Sequence, residues 1–121
     1  MTQATELSKR TPEEIFMHHA QSLGAEDAEA TALDYAETAY LITQDGVMRG
    51  KEAIRGFFAA VFQAIPQAQW GVKTTYVDNV MFLQWTADSR LGSVSDGVDT
   101  FIFANGLIHA QTARYTLVLK G

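Results

Sequence analysis

The sequence lacks cysteine and has no long apolar run. Without cysteine the chain cannot form a disulfide, a thiolate metal site or a cysteine nucleophile. No apolar run approaches the roughly 20 residues that a membrane-spanning helix needs, and the polar residues 1–4 lack the apolar core of a secretion signal. We therefore expect a cytoplasmic protein that has no contact with a membrane.

Basic residues are scarce as well. Nine Lys and Arg residues stand against 14 Asp and Glu residues, which gives a net charge of -5. Binding to nucleic acid depends on a dense basic stripe that neutralises phosphates, and none is found here. Glycine-rich phosphate loops and serine nucleophile elbows are also missing. We expect no nucleic-acid partner and no cofactor.

The residues that are present suffice for one folded domain. The chain has 121 residues, of which 47% are hydrophobic and 11% aromatic, enough to build an apolar core. Residues 1–10 are polar and are expected to fray or to form a short lead-in. Residues 11–121 are expected to form a single domain.

Three helices are predicted in the first half of the chain. Thr11-Pro12-Glu13-Glu14 is a capping box, and the helix that it starts should end at Leu23 with Gly24 as its cap. An alanine-rich helix is predicted from Asp27 to about Glu37. The third helix begins after Gly50, ends at Pro66 and carries the clearest amphipathic pattern. Its apolar residues recur at steps of three and one: Ile54, Phe57, Phe58, Val61, Phe62 and Ile65.

Strands dominate the second half. A short hairpin is predicted from 39–43 and 47–49, and longer strands from 70–77, 80–87, 98–104 and 107–119. Residues 88–96 read as a loop, and Gly92, Gly97 and Gly106 as turn glycines. Asn105-Gly106 is the strongest hairpin signal. Helices followed by antiparallel strands indicate an α+β fold.

Three segments, in this order and spacing, resemble the nuclear transport factor 2-like superfamily in its SnoaL-like and ketosteroid-isomerase-like branch. They are Asp34-Tyr35-Ala36-Glu37 before a strand, Gly50-Lys51-Glu52-Ala53-Ile54-Arg55-Gly56-Phe57-Phe58, and Gly97-Val98-Asp99-Thr100-Phe101-Ile102-Phe103 closed by Asn105-Gly106-Leu107-Ile108. The resemblance spans residues 11–119. It implies a cone: a strongly curved antiparallel sheet, as in cystatin-like rolls, wrapped around three N-terminal helices, with an apolar pocket at one end. It also implies a homodimer through the outer face of the sheet.

Strand alternation predicts which side chains face the pocket. Asp99, Phe101 and Phe103 share one face of their strand, and His109, Gln111, Ala113 and Tyr115 share a face of the last strand. Together with Trp85, and with His19, Tyr35, Leu41 and Phe58 from the helical side, they form the predicted ligand-binding set. This mostly aromatic lining suits a small hydrophobic, ring-containing molecule, sterol-like or polyketide-like, that carries a ketone or hydroxyl.

Asp99 is the sharpest chemical candidate. In ketosteroid isomerases a carboxyl in an apolar site stays protonated and donates to a developing oxyanion, and the Asp-x-Phe-x-Phe segment of those enzymes matches 99–103 here. Burial among aromatic residues should raise the pKa of Asp99. The alternative is that Asp99 pairs with a cation or caps a turn.

The departures from the isomerase pattern favour binding without catalysis. The position of the general base falls at Thr43, which is no base at neutral pH, and the oxyanion-hole tyrosine falls at about His19. Asp45 lies in a turn and reads as a turn former. An acid–base isomerase, cyclase or dehydratase remains the alternative, with Asp99 as acid and His19 or His109 as base. An interaction module acting through the sheet face is a third.

Two further expectations concern the histidines and the alanines. His18 and His19 point about 100° apart on a helix, so only one can face the pocket, and the apolar spacing selects His19. With His109 it makes too few ligands for a metal, and no metal is expected. The many alanines beside aromatic residues are also compatible with a natural scaffold whose cavity was widened by engineering.

Overall fold

The computed structural model describes residues 8–121, in which three helices pack against one seven-stranded sheet. The helices are α1 (Pro12–Gly24), α2 (Ala28–Ala32) and α3 (Lys51–Ala64). The strands are β1 (Tyr35–Thr43), β2 (Gly46–Arg49), β3 (Gln69–Val77), β4 (Val80–Asp88), β5 (Gly92–Ala104), β6 (Leu107–Arg114) and β7 (Val118–Leu119). The predicted α+β class, with three helices and a curved sheet, is confirmed.

The sheet has the strand order β2-β1-β6-β5-β4-β3. The long strands β3, β4, β5 and β6 pair antiparallel with one another, as predicted. β1 runs parallel to β6 and lies next to the edge strand β2. The Asn105-Gly106 hairpin joins β5 to β6, and both residues have positive φ angles of 52° and 75°, as this turn requires.

The first helix begins as the sequence predicts. The hydroxyl of Thr11 accepts from the backbone N–H of Glu14 at 3.2 Å, and the carboxylate of Glu14 accepts from the backbone N–H of Thr11 at 2.9 Å. Its end differs by one residue, because Gly24 is still helical and Ala25 is the cap. The backbone N–H of Ala25 donates to the carbonyls of Gln21 and Leu23. The helix therefore ends without a glycine in the left-handed conformation.

The predicted second helix is wrong in its length. Asp27 caps it as expected, accepting from the backbone N–H of Ala30 at 3.0 Å, but the helix ends at Ala32 and β1 starts at Tyr35. The backbone carbonyl of Asp34 accepts from the N–H of Ile108 at 2.7 Å, and Tyr35 pairs with Ile108 in β6. Pairing with β6 therefore overrides the helix propensity of the alanines.

Two strand boundaries also differ. The predicted loop 88–96 is largely strand, because β5 starts at Gly92 and pairs with both β4 and β7. The long last strand ends at Arg114, and its continuation, β7, pairs back onto Gly92 and Ser93. Gly92 and Gly97 therefore lie within β5 rather than in turns, whereas Gly106 is a turn glycine.

The main core lies between the helices and the inner face of the sheet. Each layer contributes side chains that are almost fully buried: Ile15 and Phe16 from α1, Ile54 and Phe58 from α3, and Tyr35, Leu41, Met81, Phe101, Phe103 and Ile108 from the strands. No helix within residues 8–121 is long and apolar enough to cross a membrane. Of the predicted lead-in, residues 1–7 lie outside the described part, and Arg10 at its end is held by hydrogen bonds to Asp34 and to the carbonyl of Gly106.

Candidate functional site

An apolar cavity of about 250 Å³ lies between α1, α3 and the inner face of the sheet. Its wall is built by Phe16, His19, Ala20 and Leu23 of α1; Phe57, Phe58, Ala60, Val61 and Ala64 of α3, with Ile65; Trp70, Val72, Leu83 and Trp85 of β3 and β4; Val94, Asp99 and Phe101 of β5; and Gln111, Ala113, Tyr115 and Leu117. Asp99 is the one carboxyl group that the described residues place in this wall.

Asp99 is held in place by two donors. The indole N–H of Trp85 donates to its Oδ1 at 2.8 Å, and the side-chain amide of Gln111 donates to its Oδ2 at 2.8 Å. Only 6% of Asp99 is exposed. The two hydrogen bonds fix the orientation of the carboxyl group in the cavity wall.

Tyr35 extends this arrangement by one residue. Its hydroxyl donates to Oε1 of Gln111, while Nε2 of Gln111 donates to Asp99. Because the tyrosine hydroxyl occupies the oxygen of the amide, the amide nitrogen must point to Asp99. Burial raises the pKa of Tyr35 well above its ordinary value, and the nearby Asp99 raises it further, so Tyr35 remains a donor.

Burial also raises the pKa of Asp99, from 3.8 to about 6. Removal from water disfavours the charged carboxylate, and the hydrogen bonds from Trp85 and Gln111 oppose that effect only in part. The predicted direction is confirmed. The alternative that Asp99 pairs with a cation is not what the structure shows, since no Lys, Arg or His within residues 8–121 forms an ion pair with it.

His19 lies in the cavity wall as an uncharged group. Its ring packs edge-on against Tyr35, Phe58 and Phe101, with centroids 5.6 to 5.8 Å apart. Burial lowers its pKa to about 4, although Asp34 acts in the opposite direction. His19 Nδ1 is 3.8 Å from Oδ2 of Asp34 and has no hydrogen-bond partner in the described part of the chain. His18 points away from the cavity, as predicted.

Three half-buried aromatic rings form the more exposed side of the cavity. The ring of Trp85 lies between those of Trp70 and Tyr115, with centroids 5.6 Å apart in both pairs. Trp85 packs directly on Gly97, its partner in β5. This glycine leaves the space that the indole needs to reach Asp99.

We expect Gly97→Ala to destabilise the fold by about 1–3 kcal/mol, the usual cost of overpacking. A Cβ atom there would lie 2.2 Å from Cε2 of Trp85, so the indole must move and lose its bond to Asp99. Urea unfolding measures the change. The control is Gly56→Ala on α3, where a Cβ meets no atom within 4 Å and should stabilise the helix by about 0.5–1 kcal/mol. Equal midpoints for Gly97→Ala and the parent would contradict the packing argument.

The structure brings most of the predicted ligand-binding residues together. His19, Phe58, Trp85, Asp99, Phe101, Gln111, Ala113 and Tyr115 lie in the cavity wall. Tyr35 lies one contact behind it, through Gln111. Leu41 and Phe103 are buried in the core but do not reach the cavity.

The prediction that His109 lines the cavity is wrong. The pairing of β5 with β6 shifts between Ile102 and Phe103, so strict alternation fails at this point of β6. Ile108 and Gln111 both face inward, and His109 between them is half-buried and outside the cavity wall. It therefore cannot pair with His19 or serve as a base beside Asp99.

Two further predictions concern polar groups of the β1–β2 hairpin. Thr43, at the position of the isomerase base, is buried and its hydroxyl accepts from the backbone N–H of Asp45 at 3.1 Å. Asp45 lies in the β1–β2 turn, as expected. Within the described ranges no group of three or more acidic or histidine side chains could hold a metal ion.

Part of the cavity wall was not predicted from the sequence. The last two turns of α3 contribute Ala60, Val61 and Ala64, the start of β3 contributes Trp70, and the segment between β6 and β7 contributes Leu117. The amphipathic pattern of α3 marks its buried face, but periodicity alone does not separate a cavity wall from solid core.

A buried ion pair beside the cavity was also missed. Asp34 is fully buried, and its Oδ1 accepts from Nη1 of Arg10 at 2.8 Å. Nδ1 of His18 lies 2.8 and 2.9 Å from the two carboxylate oxygens. This cluster connects the start of the chain to α1 and to the β5–β6 turn, since Arg10 also donates to the carbonyl of Gly106.

The sequence matches a known domain family, and the fold is found in solved structures. Residues 17–111 match the SnoaL-like domain family. No curated protein matches the sequence. Solved structures share the fold at low identity. An NTF2-like protein of unknown function from Cytophaga hutchinsonii has a TM-score of 0.74 at 13% identity, and the alignment covers 89% of this chain and 92% of that one.

Two further structures carry functional descriptions. The epoxide hydrolase/cyclase-like enzyme SalBIII, described for pyran ring formation in the polyether salinomycin, has a TM-score of 0.75 at 16% identity, with coverages of 90% and 95%. A protein from Kribbella flavida, provisionally described as a ketosteroid isomerase, has a TM-score of 0.73 at 14% identity, with coverages of 91% and 81%. At these identities the similarity concerns the fold.

Proposed function

The chain belongs to the SnoaL-like domain family, and we propose that it binds a small, hydrophobic, ring-containing molecule in the cavity described above. The observation that carries the proposal is an apolar chamber of about 250 Å³ with one oriented carboxyl group, Asp99, in its wall. Such a chamber, largely apolar with a few fixed polar groups, is the usual form of a small-molecule site.

The volume favours a ligand of one or two rings. A cavity of about 250 Å³ lies just below the range of about 300–1,000 Å³ that is typical of small-molecule sites, so it suits a ligand at the small end of that class. The sterol-like or polyketide-like identity expected from the sequence stays a prediction.

We test the proposal with a thermal-shift screen of one-ring and two-ring alcohols, ketones and amines. Binding at a hundredfold excess over Kd stabilises the native state by about 2.7 kcal/mol, which should raise Tm by about 10 °C. Ala64→Phe places a ring in the cavity wall and should abolish the shift. Ala53→Phe, on the exposed side of α3, should leave it intact. A shift that survives Ala64→Phe would place the ligand elsewhere.

An acid–base enzyme is the second candidate, and the pKa of Asp99 favours it. A carboxyl that titrates near pH 6 in an apolar site can give or accept a proton close to neutral pH. Gln111, Trp85 and Tyr35 would orient it. His19 is too weak a base at a pKa of about 4, and His109 is too far from the wall, so Asp99 would act alone. Turnover of a ring ketone should then fall by roughly 100- to 10,000-fold in Asp99→Asn.

The homodimer through the outer face of the sheet stays a prediction, which one row of side chains supports. Thr75, Phe82, Thr100, Thr112, Ile42 and Val47 follow one another in register across six strands. The row contains no charged residue, so two copies can meet across a two-fold axis without opposed like charges. Phe82 and Ile42 are 43% and 40% exposed.

We expect Phe82→Glu to convert a dimer into a monomer, because it buries a charge at the largest side chain of the row. Light scattering after size-exclusion chromatography measures the mass. Met17→Glu, on an exposed position of α1, is the control and should leave the mass unchanged. A monomeric parent protein at micromolar concentration would contradict the homodimer.

A further inference from the structure

The carboxyl of Asp99 is arranged as an acceptor of hydrogen bonds on both oxygens. Its partners are the indole N–H of Trp85, which can only donate, and the amide N–H of Gln111, whose orientation Tyr35 fixes. Donors on both oxygens stabilise the charged carboxylate more than the protonated acid. The partners of Asp99 therefore favour the anion.

No positive charge compensates this anion. Within residues 8–121 no Lys, Arg or His forms an ion pair with Asp99, and His19, the one basic side chain that these residues place in the cavity wall, is neutral above about pH 4. A carboxylate removed from water without a counter-ion is unfavourable. A ligand that carries a positive charge would relieve this cost.

The neighbouring rings also suit a cation. Trp85 lies between Trp70 and Tyr115, with centroid distances of 5.6 Å, and all three rings line the same cavity as Asp99. The faces of tryptophan and tyrosine rings attract ammonium groups, and more strongly where water is excluded. The carboxylate and the rings thus offer two kinds of attraction to one cationic group.

We infer that the ligand of this cavity is a small hydrophobic amine bound as its ammonium ion. The ammonium group lies between Asp99 and the rings of Trp70, Trp85 and Tyr115, and the hydrophobic part fills the space beside Phe57 and Val61 of α3. The inference rests on the proposed function and names the polar group of its ligand. A ketone would instead need Asp99 protonated, as a donor.

The two ligand types differ in the sign of their pH dependence. Besides Asp99, the titratable groups in or directly behind the cavity wall are Tyr35 from β1, Tyr115 beyond β6 and His19 from α1; the wall residues of α3, β3 and β4 contribute none. Burial raises the pKa of both tyrosines above their ordinary value, and the pKa of His19 is about 4. Between pH 5 and pH 8 the change in charge at the cavity therefore belongs to Asp99, with its pKa of about 6. Binding of an amine should strengthen as pH rises, and binding of a ketone should weaken.

The experiment compares three probes of similar size: 2-phenylethylamine, 2-phenylethanol and phenylacetone. Titration calorimetry at pH 8 and pH 5 gives the affinities. At pH 8 we expect the amine to bind at least about tenfold more tightly than the alcohol. At pH 5, where about a tenth of Asp99 is ionised, the affinity of the amine should fall about tenfold.

Two variants test whether Asp99 causes the preference for the amine. Asp99→Asn should remove the preference for the amine, whereas Asp96→Asn, on the exposed side of the same strand, should keep it. The pH comparison uses the unmodified protein, so it holds even if Asp99→Asn folds poorly. Equal or tighter binding of the alcohol or ketone at pH 8, or an amine affinity that does not fall at pH 5, overturns the inference and leaves the proposed function standing. Binding of none of the probes, with no response in the thermal screen, overturns both.

Discussion

Replacing Asp34 by alanine is expected to destabilise the protein by about 3 kcal/mol, the lower end of the range for breaking a buried ion pair. Asp34 is fully buried and binds Arg10 and His18, so its removal leaves the guanidinium of Arg10 without its counter-charge. The side chain of Arg10 is 15% exposed and can turn toward water, which keeps the loss near that lower end. Denaturant unfolding measures the change.

Two comparisons separate the charge from the packing. Asp34→Asn keeps the size and one acceptor for Arg10, so it should cost less than Asp34→Ala. Asp88→Ala breaks the exposed pair with Lys120, and such surface pairs contribute at most about 1 kcal/mol. A loss in Asp34→Ala no larger than that in Asp88→Ala would show that the buried cluster does not hold the N-terminal segment to the fold.

The second large effect is a pH-dependent penalty from Asp99. Its pKa is about 6 in the folded protein and 3.8 ordinarily. Since each pKa unit corresponds to 1.36 kcal/mol, this difference corresponds to about 3 kcal/mol. The folded state binds the proton more tightly, so Asp99 favours folding fully below about pH 3.8. That contribution declines as pH rises and is lost above about pH 6.

Asp99→Asn removes this titration. The stability of the variant relative to the parent should therefore rise by up to about 3 kcal/mol between pH 3.5 and pH 8. Urea unfolding across this range gives the difference at each pH, which cancels the titration of all other groups. Asp96→Asn is the control with the opposite sign, because hydrogen bonds from Thr116 lower the pKa of Asp96. A difference between Asp99→Asn and the parent that does not change with pH would mean that the carboxyl is not desolvated.

The loss of stability that Asp99 causes at neutral pH fits a role of this carboxyl group in binding. At neutral pH the folded protein carries a buried carboxylate that weakens its stability, and Trp85, Gln111 and Tyr35 are arranged around it. A ligand that supplies a donor or a positive charge would recover part of that free energy on binding. Stability and ligand affinity should thus change in opposite directions when Asp99 is replaced.

Local signals in the sequence determined much of the fold. The capping box at Thr11, the apolar spacing of α3 and the Asn105-Gly106 turn each depend on neighbours within a few residues, and all three are present as predicted. Strand alternation also placed Asp99, Phe101, Gln111 and Ala113 correctly, because the side-chain period of two holds wherever a strand is regular.

The tertiary structure decided what depends on distant partners. β1 replaces the end of the predicted second helix because it pairs with β6, some seventy residues further along. His109 leaves the cavity because the β5–β6 register shifts at Phe103, and a one-residue shift moves a side chain to the other face. Asp34 becomes a buried partner of Arg10 only when the segment before α1 meets the β5–β6 turn. Helix caps, turns and apolar periods are local properties that the sequence encodes directly, whereas strand pairing, register and the burial of a charge are set by contacts that exist only in the folded chain.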